Sequence, residues 1–229
     1  MPILTEIPHA SVELRWYSPL PGPAHLRARQ LRGAVAQAFI EDSRFHQHDV
    51  EGHQLYRYPP IQYRWQNGYG LIVGWLSGAE TMLNVSWLDL PLTIGDDKVM
   101  VSDAIISTQY AQFGISNNLI YYDFISPVLL FNQKNYKKYN GLDSESAQRY
   151  ECDRLLVAQL LTAMRGLAVN FEVQLYAAFT EIETCQCYYK KQIMLGIKGQ
   201  FVSNALLPDG LAIGHAVSHG YGWFTPMKN

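Results

Sequence analysis

The dipeptide Asn67-Gly68 is the sequence feature that most narrows the fold of this chain. It separates Leu55–Gln66 from Tyr69–Leu76, two segments rich in aromatic and β-branched residues, and Asn-Gly favours the tight turn that joins antiparallel strands. Before the hairpin, the sequence predicts a strand within 3–17 and a helix over 24–40. After the hairpin, it predicts a helix over 77–88 and a strand over 99–109. Strand, helix, hairpin, helix, strand is the order of a ferredoxin-like βαββαβ unit.

The second half of the chain has a similar order of predicted strands and helices. Asn118–Ile125 has strand character, Ser144–Leu167 is the longest helical pattern, and Ser144 can cap the start of that helix. Phe171–Phe179 and Thr184–Val202 are predicted strands. We therefore expect an α+β protein of two tandem ferredoxin-like units, residues 1–110 and 111–229, with a C-terminal Gly-rich loop.

Composition limits where the protein acts and how it binds. No apolar run approaches the roughly 20 residues that span a bilayer, the N-terminus does not resemble a signal peptide, and three cysteines are too few for a disulfide framework. We therefore expect a cytoplasmic protein. Because 18 Lys and Arg stand against 20 Asp and Glu, any nucleic-acid binding has to use a local patch of positive charge.

The segment 44–53 contains three histidines within eight residues, His46, His48 and His53. On an extended chain His46 and His48 share one face with Cα atoms about 6.5–7 Å apart. Two imidazoles at that spacing can act as general base and general acid near neutral pH. A His-x-His pair can also bind a metal, with His53 as a third ligand, or the histidines can be ordinary loop residues.

The C-terminal segment 207–224 is rich in glycine, with Gly214, Gly220 and Gly222 among polar residues and before two aromatic ones. Glycines at this density can leave backbone N–H groups uncovered and form a concave anion-binding surface. The spacing matches neither the P-loop nor the Rossmann fingerprint. The segment indicates either a loop that cups a phosphate backbone or a turn between two closing strands.

Several motifs in the same order resemble the CRISPR-associated endoribonucleases that cut precursor CRISPR RNA within its repeats, members of the repeat-associated RNA-binding (RAMP) superfamily. The motifs are Arg32-Gly33, Phe45-His46-Gln47-His48, Tyr56-Arg57-Tyr58-Pro59-Pro60-Ile61-Gln62-Tyr63, the segments 126–139, 199–204 and 207–209, and the Gly-rich segment. The family's usual glycine pattern is broken at Ala212, and His215 and His219 flank Ser218 where Lys and Arg are common.

The resemblance implies a metal-independent endoribonuclease that uses no cofactor and produces mature CRISPR RNA. A ribose 2′-hydroxyl would attack the adjacent phosphate and leave a 2′,3′-cyclic phosphate and a 5′-hydroxyl, with His46 and His48 as the catalytic pair. Tyr56, Tyr58 and Tyr63 are candidates for base stacking, with core packing as the alternative. The candidate RNA-binding residues are Arg44, Arg57, Lys134, Lys137, Lys138, Lys190, Lys191, Gly214, His215, Ser218, His219, Gly220 and Gly222.

A second function is compatible with the same fold. A non-catalytic subunit that holds processed CRISPR RNA in an effector complex shares the Gly-rich loop but does not need a His-x-His pair, so the pair favours the enzyme. The expected partner is CRISPR repeat RNA, and effector-complex subunits and a second copy of the chain are further candidate partners.

Overall fold

The computed structural model of the protein describes residues 4–45, 58–189 and 192–227. These residues form two compact units. The N-terminal unit comprises Ile7–Ala111 and also Ser218–Gly220, and the C-terminal unit comprises 4–6, 112–217 and 221–227.

The N-terminal unit has the predicted βαββαβ order. Its elements are β1 (Thr5–Arg15), α1 (Ala24–Ala38), β2 (Ile61–Gln66), β3 (Tyr69–Trp75), α2 (Ser77–Leu83), a short hairpin of β4 (Pro91–Ile94) and β5 (Asp97–Met100), and the first half of β6 (Asp103–Phe124). The strand order β2-β3-β1-β6, with β3 antiparallel to both β1 and β2, is that of a ferredoxin-like sheet. Asn67 and Gly68 both have positive φ, as the predicted hairpin turn requires.

One helix face and one sheet face form the core of the N-terminal unit. Strand β1 turns Val12 and Leu14 inward at a spacing of two, and α1 turns Leu31 and Val35 inward at a spacing of four. These apolar side chains are fully buried. Their burial holds α1 against the sheet, because apolar area removed from water stabilises the fold.

The C-terminal unit is built on the second half of β6. Its other elements are α3 (Gln133–Asn140), α4 (Glu145–Gly166), β7 (Ala177–Phe179), β8 (Glu183–Tyr189), β9 (Gln192–Lys198), β10 (Gln200–Leu206) and β11 (Phe224–Pro226). Strands β10 and β11 both pair antiparallel with β6, β7 pairs with β10, and β8 and β9 form a separate hairpin. The α+β class and the two-unit ferredoxin-like architecture predicted from the sequence are confirmed.

Several predicted boundaries in this region are wrong. Instead of separate strands at Val99–Gln109 and Asn118–Ile125, the 22-residue β6 runs through the polar stretch between them, because pairing with neighbouring strands overrides the weak strand propensity there. Thr184–Val202 divides among β8, β9 and β10, and only Ala177–Phe179 of the next predicted strand is extended. Helix α3 was not predicted, since its sequence QKNYKKYN has no apolar face.

The Gly-rich segment contains little regular secondary structure. Residues 207–223 are largely irregular, with one 3₁₀ turn at Val217–His219. Among the described helices, none combines the length and the apolar composition needed to cross a membrane.

Candidate active site and RNA interface

The two predicted catalytic histidines, His46 and His48, lie outside the described residues, as do Arg57, Lys190 and Lys191. The residue immediately before them is firmly anchored. Phe45 is 1% exposed, stacks on Phe39 with ring centroids 4.9 Å apart and meets the edge of Trp87 at 6.2 Å. The chain therefore enters the histidine segment from a fixed point in the core of the N-terminal unit.

The buried Tyr63 on β2 holds the backbone of Phe45. Its hydroxyl donates a long hydrogen bond of 3.4 Å to the Phe45 carbonyl oxygen, and burial raises the pKa of Tyr63 above its ordinary range. The ring is 1% exposed. Base stacking by Tyr63 is therefore excluded, and the alternative of core packing holds for this residue.

The guanidinium of Arg44 is paired within its own turn. Its Nε donates to Asp42 Oδ1 at 2.7 Å and one terminal nitrogen donates to Asp42 Oδ2 at 2.5 Å. This hydrogen bonding to the carboxylate raises the pKa of Arg44. Because Asp42 offsets its charge, Arg44 offers an RNA phosphate less attraction than an isolated arginine would.

Three backbone N–H groups of the Gly-rich segment form hydrogen bonds within the protein. The N–H groups of Ile213, His215 and Gly222 donate to the carbonyl oxygens of Gly222, Leu129 and Pro127 at 2.9, 2.8 and 2.9 Å. The prediction of uncovered N–H groups is therefore wrong at these three positions, since the backbone carbonyl oxygens of Gly222, Leu129 and Pro127 accept from them.

The glycines of this segment are required by the backbone. Gly214, Gly220 and Gly222 have φ values of +90°, +85° and +71°, in the region that side chains disfavour. A Cβ on Gly214 would lie 2.7 Å from the Leu129 carbonyl oxygen, and a Cβ on Gly222 would collide with the Ile213 carbonyl oxygen. The substitution at Ala212 falls at a position that pairs with Trp223 in an isolated bridge.

Part of the Gly-rich segment rests on the N-terminal unit. Ser218–Gly220 belong to that unit by their contacts. A Cβ on Gly220 would lie 2.9 Å from the Ala28 methyl group of α1 and 3.1 Å from the carbonyl oxygen of Tyr63. One residue, Tyr63, thus contacts the Gly-rich segment through its backbone and Phe45 through its hydroxyl.

The polar side chains of the Gly-rich segment are less accessible than the sequence suggested. Ser218 is 6% exposed. His215 is half-buried, its Nε2 has no hydrogen-bond partner among the described residues, and burial lowers its pKa below 6.5. Burial therefore favours the neutral form of His215.

The three lysines of α3 differ in their surroundings. The helix begins at Asn132, whose side chain accepts a hydrogen bond from the Asn135 N–H at 2.8 Å. Lys134 and Lys137 project into solvent. The Nζ of Lys138 instead lies 2.8 Å from Glu151 Oε2, so part of its charge is already neutralised.

Glu151 on α4 is a partner of the candidate RNA contact Lys138 that the sequence did not reveal. Its side chain is 3% exposed and accepts hydrogen bonds from Arg154 at 2.6 and 2.9 Å and from Lys138 at 2.8 Å. The bonds from Arg154, followed by those from Lys138, lower the pKa of Glu151 to about 2. The spacing of three residues from Glu151 to Arg154 was a visible helical signal, whereas the pairing with Lys138 joins two helices.

Within residues 4–45, 58–189 and 192–227, no group of three or more His, Cys, Asp or Glu side chains is placed to hold a metal ion. The candidate metal ligands His46, His48 and His53 lie outside those ranges.

Two domain families match this chain over nearly all of its length. The Cas6b N-terminal domain matches residues 13–112 and the Cas6b C-terminal domain matches residues 114–227. The crystal structure of a Cas6b covers 97% of the chain at 23% identity with a TM-score of 0.83. The structure of the CRISPR RNA processing endoribonuclease Cas6b covers 97% at 21% identity with a TM-score of 0.73. Each of these structures is itself covered completely.

A sequence relative comes from Methanocaldococcus jannaschii. The uncharacterized protein MJ0978 is 32% identical over 143 residues, which are 62% of this chain and 94% of MJ0978. The matches define a CRISPR-associated endoribonuclease of the Cas6 class. Within that class, the chain belongs to the Cas6b family.

Proposed function

We propose that this endoribonuclease cleaves precursor CRISPR RNA within its repeats without a metal ion. The 2′-hydroxyl oxygen attacks the adjacent phosphorus, the bond from phosphorus to the 5′ oxygen breaks, and the products are a 2′,3′-cyclic phosphate and a 5′-hydroxyl. Processing of precursor CRISPR RNA follows from membership in the Cas6b family. The mechanism and the site residues are the proposal.

The contacts of Tyr63 are the observation that carries this proposal. Its carbonyl lies against Gly220 of the Gly-rich segment, and its hydroxyl binds the carbonyl of Phe45, the residue before His46. RNA held at the Gly-rich segment would therefore pass close to the start of the histidine segment. This juxtaposition within one unit supports a shared substrate for two segments far apart in the sequence.

His46 and His48 supply the proton transfers in this mechanism. One imidazole takes the proton of the 2′-hydroxyl as that oxygen attacks, and the other imidazolium gives a proton to the departing 5′ oxygen. Histidine suits both roles because its ordinary pKa lies near neutral pH. Arg57 is the candidate cation for the negative charge that develops on the phosphate, since Asp42 offsets the charge of Arg44.

Removal of the nucleophile tests the chemistry. The substrate is the repeat RNA of the CRISPR array from the same genome, with a single 2′-deoxy substitution at the scissile nucleotide. We expect binding to be retained and cleavage to be abolished, because the attacking oxygen is absent, and EDTA to leave cleavage of the all-ribose RNA unchanged. Cleavage of the deoxy substrate, or loss of activity in EDTA that zinc restores, would refute the mechanism.

Single substitutions test the two histidines. His46→Ala and His48→Ala should each slow cleavage at least about 100-fold, as expected for loss of a general acid or base, with repeat affinity within about twofold of the wild type. His25→Ala on α1 of the same unit is the matched control. If both site variants cut at the wild-type rate, the active site lies elsewhere. Normal affinity without any cut by the wild-type protein would instead support a non-catalytic RNA-binding subunit.

The two halves of the chain have different roles in this proposal. Residues 1–110 carry the histidine site, and residues 111–229 carry the Gly-rich loop together with Lys134, Lys137, Lys138, Lys190 and Lys191. Effector-complex subunits and a second copy of the chain stay predicted partners. Light scattering after size-exclusion chromatography, with and without repeat RNA, measures the molar mass and so tests for pairing of two copies of the chain.

A further inference from the structure

A pocket of about 280 Å³ lies in the C-terminal unit between the start of α3 and strand β9. We call it the α3–β9 pocket, and the lining residues that matter are Gln133, Tyr136, Gln186, Gln192, Ile193 and Leu195. Its volume is just below the range of about 300–1,000 Å³ typical of small-molecule sites. A single planar ring system therefore suits it better than a larger ligand.

Tyr136 provides an aromatic surface in this pocket. The side chain is 43% exposed, and its ring meets buried Phe131 at a centroid distance of 6.2 Å and an interplanar angle of 69°. The Tyr136 N–H donates to the carbonyl of the capping residue Asn132 at 2.8 Å, which fixes the residue in the first turns of α3. A ring that is held in place yet exposed can stack on a ligand with little loss of entropy.

Strand β9, which lines the same pocket, has backbone hydrogen-bonding groups on its edge away from β8. Ile197 exchanges hydrogen bonds of 2.8 and 3.0 Å with Val128, so its N–H and C=O point away from β8. Because these directions alternate along a strand, the N–H and C=O groups of Leu195 and Ile193 also point away from β8. An open strand edge of this kind offers donors and acceptors at fixed spacing.

The side chains that line the pocket are uncharged. Gln133, Gln186 and Gln192 each carry an amide that both donates and accepts, which matches the mixed donors and acceptors on a nucleobase edge. Such a lining does not attract a phosphate. Lys134 and Lys137 do not line the pocket, but they are exposed on the same helix on either side of Tyr136 in the sequence and give α3 positive charge.

We propose that the α3–β9 pocket binds one unstacked nucleobase of the RNA substrate. The base stacks on Tyr136, its edge is read by the glutamine amides and the β9 edge, and the neighbouring phosphates contact Lys134 and Lys137. This inference rests on the proposed function, because it takes RNA as the substrate. It adds a base-binding residue, Tyr136, in a part of the chain distant in sequence from the histidine segment.

Abasic RNA separates base contacts from phosphate contacts. Fluorescein-labelled ten-nucleotide oligomers of uridine, cytidine and adenosine, and an abasic ten-nucleotide RNA, are titrated with the full chain and followed by fluorescence anisotropy. Tyr136→Ala should weaken binding of at least one base-containing oligomer by about 5- to 100-fold, the range expected for loss of one base–aromatic stack. Binding of the abasic RNA should change less than twofold.

Three further variants control this experiment. Tyr136→Phe keeps the ring and should restore binding, whereas Tyr150→Ala, which removes a 72% exposed tyrosine from α4, should leave it unchanged. If circular dichroism shows that Tyr136→Ala does not fold, Gln192→Ala at its exposed position should still weaken binding of a base-containing oligomer several-fold and spare the abasic RNA.

Equal losses for abasic and base-containing RNA, or no loss for any oligomer, would overturn the pocket as a base site. The assay needs no cleavage, so its result is independent of the catalytic proposal. Normal binding by Tyr136→Ala in a protein that cuts repeat RNA refutes only the pocket. A Tyr136-dependent base preference in a protein that does not cut refutes only the catalytic mechanism.

Discussion

Replacement of Gly220 by Ala tests whether the Gly-rich segment is anchored on the N-terminal unit. The residue has φ +85°, and a left-handed conformation costs an L-residue about 1–2 kcal/mol. The added Cβ would also lie 2.9 Å from the Ala28 methyl group and 3.1 Å from the Tyr63 carbonyl oxygen. Neither neighbour can rotate away, because one is a methyl group on a packed helix and the other is backbone. We expect a total loss of about 2 kcal/mol in the free energy of unfolding.

Thermal unfolding and cleavage of repeat RNA measure this prediction together. A loss of about 2 kcal/mol corresponds to a fall of roughly 10 °C in the Tm of a domain of this size. Gly33→Ala is the matched control, because a Cβ on Gly33 in α1 meets nothing within 4 Å. Since Ala is the better helix former by about 1 kcal/mol, this variant should be more stable than the wild type and should cleave within twofold of it.

The cleavage results of Gly220→Ala separate two steps of the reasoning. If the segment positions RNA near the histidines, kcat/KM should fall at a temperature at which the variant is fully folded. An unchanged Tm would refute the anchoring of Gly220 against Ala28 and Tyr63. A lowered Tm with normal cleavage would leave the anchoring intact and refute its role in positioning RNA.

Three further predictions concern charge. Since the pKa of Glu151 is about 2 when folded and 4.5 ordinarily, its ion pairs stabilise the fold above pH 4.5 and are lost as the pH falls toward 2. At about 1.4 kcal/mol per pKa unit, the loss between pH 6 and pH 3 is about 2 kcal/mol before screening and about 1 kcal/mol after reduction for the half-exposed partners. Urea unfolding at these two pH values should therefore show about 1 kcal/mol more acid destabilisation in the wild type than in Glu151→Gln, and equal losses would contradict this. Lys137→Ala should weaken RNA binding and make the slope of log K against log salt concentration shallower by about 1. Lys138→Ala should instead mainly lower the Tm, because it removes the ion pair with Glu151. The reverse result would show that Lys138 is the phosphate contact. Because burial lowers the pKa of His215, RNA affinity should be flat from pH 8 to 6.5 and rise below that, and a rise that persists in His215→Gln would exclude this residue as its source.

Local features of the fold were predictable because neighbouring residues determine them. Asn67-Gly68 forms its turn with positive φ at both positions, and Ser144 caps α4 by accepting from the Ala147 N–H at 3.2 Å. The apolar spacing of Leu31 and Val35 predicted the buried face of α1. Helix α3 was missed because its cap, Asn132, precedes a polar segment without an apolar stripe.

The surroundings of individual site residues were not predictable in this way. The sequence identified Lys138 as a candidate RNA contact and Tyr63 as a candidate for base stacking, whereas Glu151 pairs with the lysine and the core encloses the tyrosine. Each of these outcomes depends on a partner brought close only when separate elements pack together. The role of His46 and His48 stays a prediction.

By itself, the sequence determined the α+β order of two units, the hairpin at Asn67-Gly68 and the family, because these depend on periodicity, turn residues and ordered motifs. Only the tertiary structure decided that Gly220 lies against Tyr63 beside Phe45, that Glu151 forms an ion pair with Lys138, and that Tyr136 and β9 line the same pocket. The physical reason is that hydrogen bonding, burial and charge pairing act over a few ångströms in space. Residues far apart in the chain acquire such neighbours only through folding.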